Sequence, residues 1–149
     1  MGSRRNSLLF LLALLLLAAG CREPLSEEQY CLGRGPYTFR VQMADTLKAY
    51  DLDLYSRLDG DASDLDALQE IALWMDWTSP SGKKATEKVY LPLRGRSSFF
   101  SRQVREPYRA GIRPSEAGEW TLIVTPITPP EMLVGMGLIV TKRPWDTEN

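Results

Sequence analysis

The chain has 149 residues, 44% apolar and 25% charged, which are the proportions of an ordinary folded chain of one-domain length. Eighteen Lys and Arg against nineteen Asp and Glu leave a net charge of −1, which offers no basis for nucleic-acid binding. Histidine is absent, so a Ser-His-Asp or Cys-His catalytic unit and any His-ligated metal site are excluded.

Arg4 and Arg5 precede the apolar run LLFLLALLLLAA at residues 8–19. A membrane-spanning helix needs about 20 apolar residues, so this run is too short to cross. A basic start, a short apolar core and a small-residue end predict a secretory signal peptide over residues 1–20. The stretch Leu17-Ala18-Ala19-Gly20, followed at once by Cys21, is similar to the lipobox of bacterial lipoproteins. That resemblance implies cleavage before Cys21, a diacylglyceryl group on its sulfur and a fatty acyl chain such as palmitate on the new amino end. Several chains on one residue hold a protein at a membrane far more firmly than one chain does. Cys31 is then left without a partner, which predicts a buried, inert thiol and no intrachain disulfide.

Residues 22–36 are polar and contain Pro24, Gly33, Gly35 and Pro36, which reads as a flexible tether of about 20 Å after the acylated Cys21. The folded domain is expected over residues 37–149. Its pattern has a period of two. Tyr37, Phe39, Val41 and Met43 alternate with polar residues, as do Tyr50, Leu52 and Leu54. Ile71, Leu73, Met75 and Trp77 follow, then Val89, Leu91 and Leu93. Tyr108, Ala110 and Ile112 come next, then Trp120, Leu122 and Val124, and last an apolar run over residues 132–141. Alternation of this kind puts one face of a strand on a core and the other in water. Residues 79–82 (SPSG) predict a hairpin turn, and residues 114–118 (PSEAG) predict a second one before Trp120. Only residues 63–70 have room for a helical turn. Seven to eight short strands with frequent turns predict an all-β fold, an antiparallel β-sandwich of immunoglobulin-like or jelly-roll-like type.

Four surface features bear on function. Asp59, Asp61, Ser63 and Glu70 occupy positions 1, 3, 5 and 12 of a calcium-loop template, but the required sixth-position Gly is Asp64. The stretch therefore reads as a solvated acidic turn, with no metal expected. Asp51 and Asp53 share one strand face about 6.6 Å apart, a spacing compatible with a glycosidase acid and base, although alternating acids on an exposed face are more simply solvated. Acids crowd residues 45–76 and bases crowd residues 83–113. Within the basic stretch, Arg94, Arg96, Phe99, Phe100, Arg102 and Arg105, with Arg109 nearby, predict a surface that docks a partner. Trp74 and Tyr90 fall opposite the apolar faces of their strands, which makes a sugar platform the alternative reading.

Several segments in order resemble the gliding-motility lipoprotein family of the GldH type. They are Asp45-Thr46, the strand Tyr50-Asp51-Leu52-Asp53-Leu54-Tyr55-Ser56-Arg57, the turn Ser79-Pro80-Ser81-Gly82, the strand Gly118-Glu119-Trp120-Thr121-Leu122 and the run LVGMGLIVTK at residues 133–142. The resemblance implies an outer-membrane lipoprotein, facing the periplasm or the cell surface, that supports a gliding and protein-secretion machinery. It implies a non-catalytic scaffold without a cofactor. Its expected partners are the membrane, through the lipid anchor, and envelope proteins of that machinery. No nucleic acid and no small-molecule substrate is expected. A surface glycan-binding lipoprotein is the alternative function.

Overall fold

The alternating apolar residues become the two inner walls of a sandwich. A computed structural model describes residues 25–95 and 100–143. Eight strands run in chain order: β1 (Ser26–Leu32), β2 (Tyr37–Met43), β3 (Ala49–Asp59), β4 (Glu70–Thr78), β5 (Lys84–Pro92), β6 (Ser101–Ile112), β7 (Gly118–Pro126) and β8 (Leu133–Arg143). One helix, α1 (Ala62–Ala67), sits between β3 and β4. The strands pair antiparallel in two four-stranded sheets, β1-β8-β3-β6 and β2-β7-β4-β5. The expected β-sandwich is present.

Between the sheets lie Tyr37, Phe39, Val41 and Met43 from β2 and Tyr50, Leu52 and Leu54 from β3. Ile71, Leu73 and Met75 from β4, Leu122 and Val124 from β7, and Met136 and Leu138 from β8 lie in the same layer, with Leu91 of β5 and Val104 of β6. Each side chain of this size withdrawn from water contributes about 1.5–3 kcal/mol before entropy opposes it. Leu65 of α1 is also buried, so the helix is a plug held at one end of the core.

Three expectations are corrected. The stretch expected as a tether contains β1, which pairs with β8 from Ser26↔Thr141 to Leu32↔Gly135. Its side chains are mostly exposed, because an edge strand has little core to face, and so its sequence lacks apolar alternation. Residues 114–118 do not close a hairpin. They carry the chain from β6 in one sheet to β7 in the other. Among the described strands only β4 and β5 form a hairpin, and every other connection crosses between sheets. In β6, Ala110 is exposed, not inward, because the register against β3 slips between Tyr50 and Leu52 and again between Leu52 and Asp53. The thiol of Cys31 is free and half-buried, packed on the core margin.

β8 contains the two glycines that let β1 lie close. A Cβ on Gly135 would stand 2.5 Å from the Cys31 carbonyl oxygen and 2.5 Å from the Tyr30 hydroxyl. A Cβ on Gly137 would stand 2.7 Å from the Gln29 carbonyl oxygen. Tyr30 lies over this bare strip and meets Tyr55 edge-on at 5.9 Å, so aromatic rings replace the missing side chains. Across to the other sheet, the Gln29 amide donates to the Arg40 carbonyl at 2.5 Å and accepts from the Arg40 N–H at 3.0 Å. That exchange ties β1 to the free edge of β2 and satisfies backbone groups that would otherwise rely on water.

Gly135→Ala should cost about 2–4 kcal/mol in urea unfolding, because backbone must move to admit the methyl group. Ser56→Ala should be neutral or stabilising within about 1 kcal/mol, since the Ser56 hydroxyl is buried with no hydrogen-bond partner.

Candidate binding cleft

At the β5–β6 side the sheets part, and a cleft of about 380 Å³ opens between them. Its inner walls continue the apolar faces of the strands. Met43, Trp77 and Trp120 come from one sheet and Ile112 from the other. Thr86, Glu87, Arg109 and Ser115 are also on its lining. The two indoles meet edge to face, with centroids 6.3 Å apart and planes at 78°. Trp77 also stacks on Tyr108 at 6.5 Å and 10°.

A polar chain closes the cleft against the two sheet edges. Trp77 Nε1 donates to the Tyr108 hydroxyl at 2.9 Å, and that hydroxyl donates to Glu87 Oε1 at 2.5 Å. Arg109 Nη2 donates to Glu87 Oε2 at 2.5 Å, and its Nε reaches Oε1 at 3.3 Å. Tyr108 and Arg109 are neighbours in sequence, so in a regular strand they would point apart. The register slip that skips Tyr108 turns both toward Glu87, as a β-bulge does. The Arg109 hydrogen bond holds the Glu87 carboxyl below its usual range, against the opposing effect of burial. Burial, aided by the bond to Glu87, pushes the Tyr108 phenol up to about 12. Glu87 in turn raises Arg109, so both partners of the pair stay ionised.

Of the residues singled out from the sequence, Arg109 lines the cleft and the others fall elsewhere. Arg102 is a correction: it is 5% exposed and is not on a docking surface. Strand alternation turns it inward, where Nη1 donates to the carbonyls of Leu65 at 2.8 Å and Leu93 at 3.1 Å and Nη2 pairs with Asp66. It fastens α1 and the end of β5 to β6. Arg105 faces the opposite way and pairs with Asp53 at 2.6 Å. Arg94 and Phe100 are exposed, Phe100 at 73%. Cys21, Arg96 and Phe99 lie outside the described residues, as does the leader at 1–20.

Asp59 pairs with Arg57 at 3.1 Å, Asp61 stands at the N-cap position of α1 without a side-chain capping bond, Ser63 lies inside the helix and Glu70 opens β4. Among the described residues no three His, Cys, Asp or Glu side chains group as a metal site. Asp51 pairs with Arg143 at 2.6 Å and accepts the Gly111 N–H at 2.7 Å. Each acid of the Asp51/Asp53 pair thus has its own arginine, and neither lines the cleft. Trp74 and Tyr90 are exposed on the outer face of β4 and β5, at 42% and 54%. The pairings Ala72↔Tyr90 and Trp74↔Lys88 make them diagonal neighbours, with Lys88 Nζ 5.0 Å from the Tyr90 ring centre. The cleft itself was not legible as a site. Trp77 and Trp120 read as core alternation, and nothing local joins Glu87 to Tyr108 and Arg109. No protein-family model and no curated protein matches the chain.

Arg102→Ala should cost about 2–4 kcal/mol, because two buried carbonyls lose their donor. Asp66→Ala should cost under about 1 kcal/mol, since its side chain is 70% exposed. The alkaline limb carries a second test. Tyr108 and Tyr37 are both raised to about 12, so the stability they contribute is complete below about pH 10 and lost as pH rises toward 12. The urea midpoint should fall over that window, and less steeply in Tyr108→Phe.

Proposed function

We propose that the chain is an outer-membrane lipoprotein, acylated at Cys21, that serves as a non-catalytic scaffold or accessory component of a gliding-motility and protein-secretion machinery. One observation carries the reading. The sandwich begins at Ser26, five residues after the cysteine that ends the leader pattern. Five Cα steps span at most about 18 Å, so an acyl group on Cys21 keeps the sandwich beside the lipid surface. The same end of the sandwich suits that surface. The Lys142 N–H near the close of β8 donates to the Leu25 carbonyl, and Arg143 of β8 pairs with Ala49 at the start of β3. In the other sheet, Thr78 pairs with Lys84 beside the β4–β5 turn. Leu25 and Leu47 are 69% and 76% exposed, and Lys83 and Lys84 are exposed. Exposed apolar tips and lysines at one end of the sandwich suit a headgroup layer.

The order of motifs from Asp45 to Lys142 supports the motility and secretion assignment. A scaffold also accords with a surface where Asp51 and Asp53 are held in separate ion pairs and do not share a substrate pocket. The loops far from the anchor, with Arg94 and Phe100 exposed there, are the surfaces that dock protein partners in this reading. The domain faces the periplasm in this reading.

Intact mass of the detergent-extracted native protein should show a diacylglyceryl-modified Cys21 as the first residue. Cys21→Ser should move the protein from the membrane to the soluble envelope fraction. An unmodified Cys21 thiol in membrane-derived protein overturns the anchor.

A further inference from the structure

We infer that the β5–β6 cleft is a saccharide subsite that takes one uncharged pyranose ring carrying vicinal hydroxyls. The volume of about 380 Å³ falls at the small end of the range for ligand pockets. Its apolar wall is made of ring surface. Both indole N–H groups are engaged inside the protein, Trp77 with the Tyr108 oxygen and Trp120 with the Glu116 carbonyl at 3.2 Å. The indoles therefore offer the cleft carbon and π surface rather than donors. The C–H face of a sugar ring suits such a surface, because its hydrogens carry slight positive charge and a ring face is negative.

The polar side of the cleft selects among ligands. Glu87 and Arg109 hold each other through two contacts, so their charges cancel locally, and Arg113, also on the lining, is engaged in an interaction of its own. A lone anion meets Glu87 and a lone cation meets Arg109, and neither gains a full counter-charge. Arg109 Nη1 has no protein acceptor among the described residues, and Glu87 Oε2 accepts from Arg109 alone. A donor thus stands beside an acceptor. Two adjacent hydroxyls fit that pair: one accepts from the guanidinium and the other donates to the carboxylate. The hydroxyls of Thr86 and Ser115 also line the cleft and add neutral partners. Trp74 and Tyr90 lie on the other face of the same sheet, so they serve as an internal control.

This inference is independent of the lipid anchor. The test uses the full chain in detergent, with and without Cys21→Ser, and reads tryptophan fluorescence and saturation-transfer NMR. The probes are hexasaccharides of β-1,4-glucose, β-1,4-N-acetylglucosamine, α-1,4-glucose and β-1,4-mannose, their monosaccharides, and a hexamer of galacturonate. At least one neutral sugar should bind, equally with and without Cys21. Binding of the monosaccharide assigns a free sugar as ligand, and binding of the hexamer alone assigns a glycan chain. Trp120→Ala should weaken binding at least tenfold. Glu87→Gln, which preserves shape, should do the same if Trp120→Ala fails to fold. Trp74→Ala should leave affinity within twofold. The proposal is overturned if no neutral sugar binds, if galacturonate binds best, or if Trp74→Ala abolishes binding while Glu87→Gln does not.

Discussion

The pairing of the first described strand with the last governs this fold. β1 and β8 run antiparallel over seven residue pairs, and β8 in turn lies against β3. β8 is thereby a central strand and β1 the edge that covers it. Gly135 and Gly137 are what make the approach possible, since any side chain there would collide with β1 backbone. Tyr30 then occupies the space that the glycines leave. The glycines weaken the strand by themselves, and the aromatic cover restores apolar burial. A leading segment that is zipped into the sheet passes force and orientation to the core, where a flexible tether would absorb both. For a protein proposed to work beside lipid, that difference decides whether it acts as a fixture or as a float.

The sandwich has two open sides, and each is fastened by polar side chains. On the β1–β2 side a single Gln29 amide exchanges two hydrogen bonds with the Arg40 backbone. On the β5–β6 side the fastening is ionic and larger: Glu87 receives Tyr108 and Arg109 together. That second fastening leaves a gap beside it, walled by Trp77 and Trp120, and the gap is the cleft. Partly exposed pairs of this kind contribute little to stability alone. Their value here is geometric, because they hold the two sheet edges together beside the cleft. The charge separation along the chain is resolved in the same way. The acids of β3 meet arginines of β6 and β8, as Asp53 does with Arg105 and Asp51 with Arg143.

Period-two alternation revealed β2, whose range of residues 37–43 was readable directly, because every second side chain there is buried. The SPSG turn was equally readable from its turn chemistry, and the helical turn expected within residues 63–70 is the helix Ala62–Ala67. β1 was not, because SEEQYCL is an edge strand recognised only through its partner β8. β6 misled because alternation assumes a regular strand, and two register slips shift the sides on which its residues point. Arg102 misled for another reason: an arginine reads as surface, and its burial depends on carbonyls contributed by Leu65 and Leu93, distant in sequence. The cleft was illegible on the same ground, as its members come from five strands and the loop at residues 113–117.

Hydrogen–deuterium exchange across β1 tests the central claim most directly. Glu27 to Leu32 amides that bond to β8 should be protected to within about tenfold of their β8 partners, in the full chain at neutral pH. Exchange of the whole segment at the rate of an unstructured peptide, with β8 still protected, would contradict the claim and return the leading segment to the status of a loose tether.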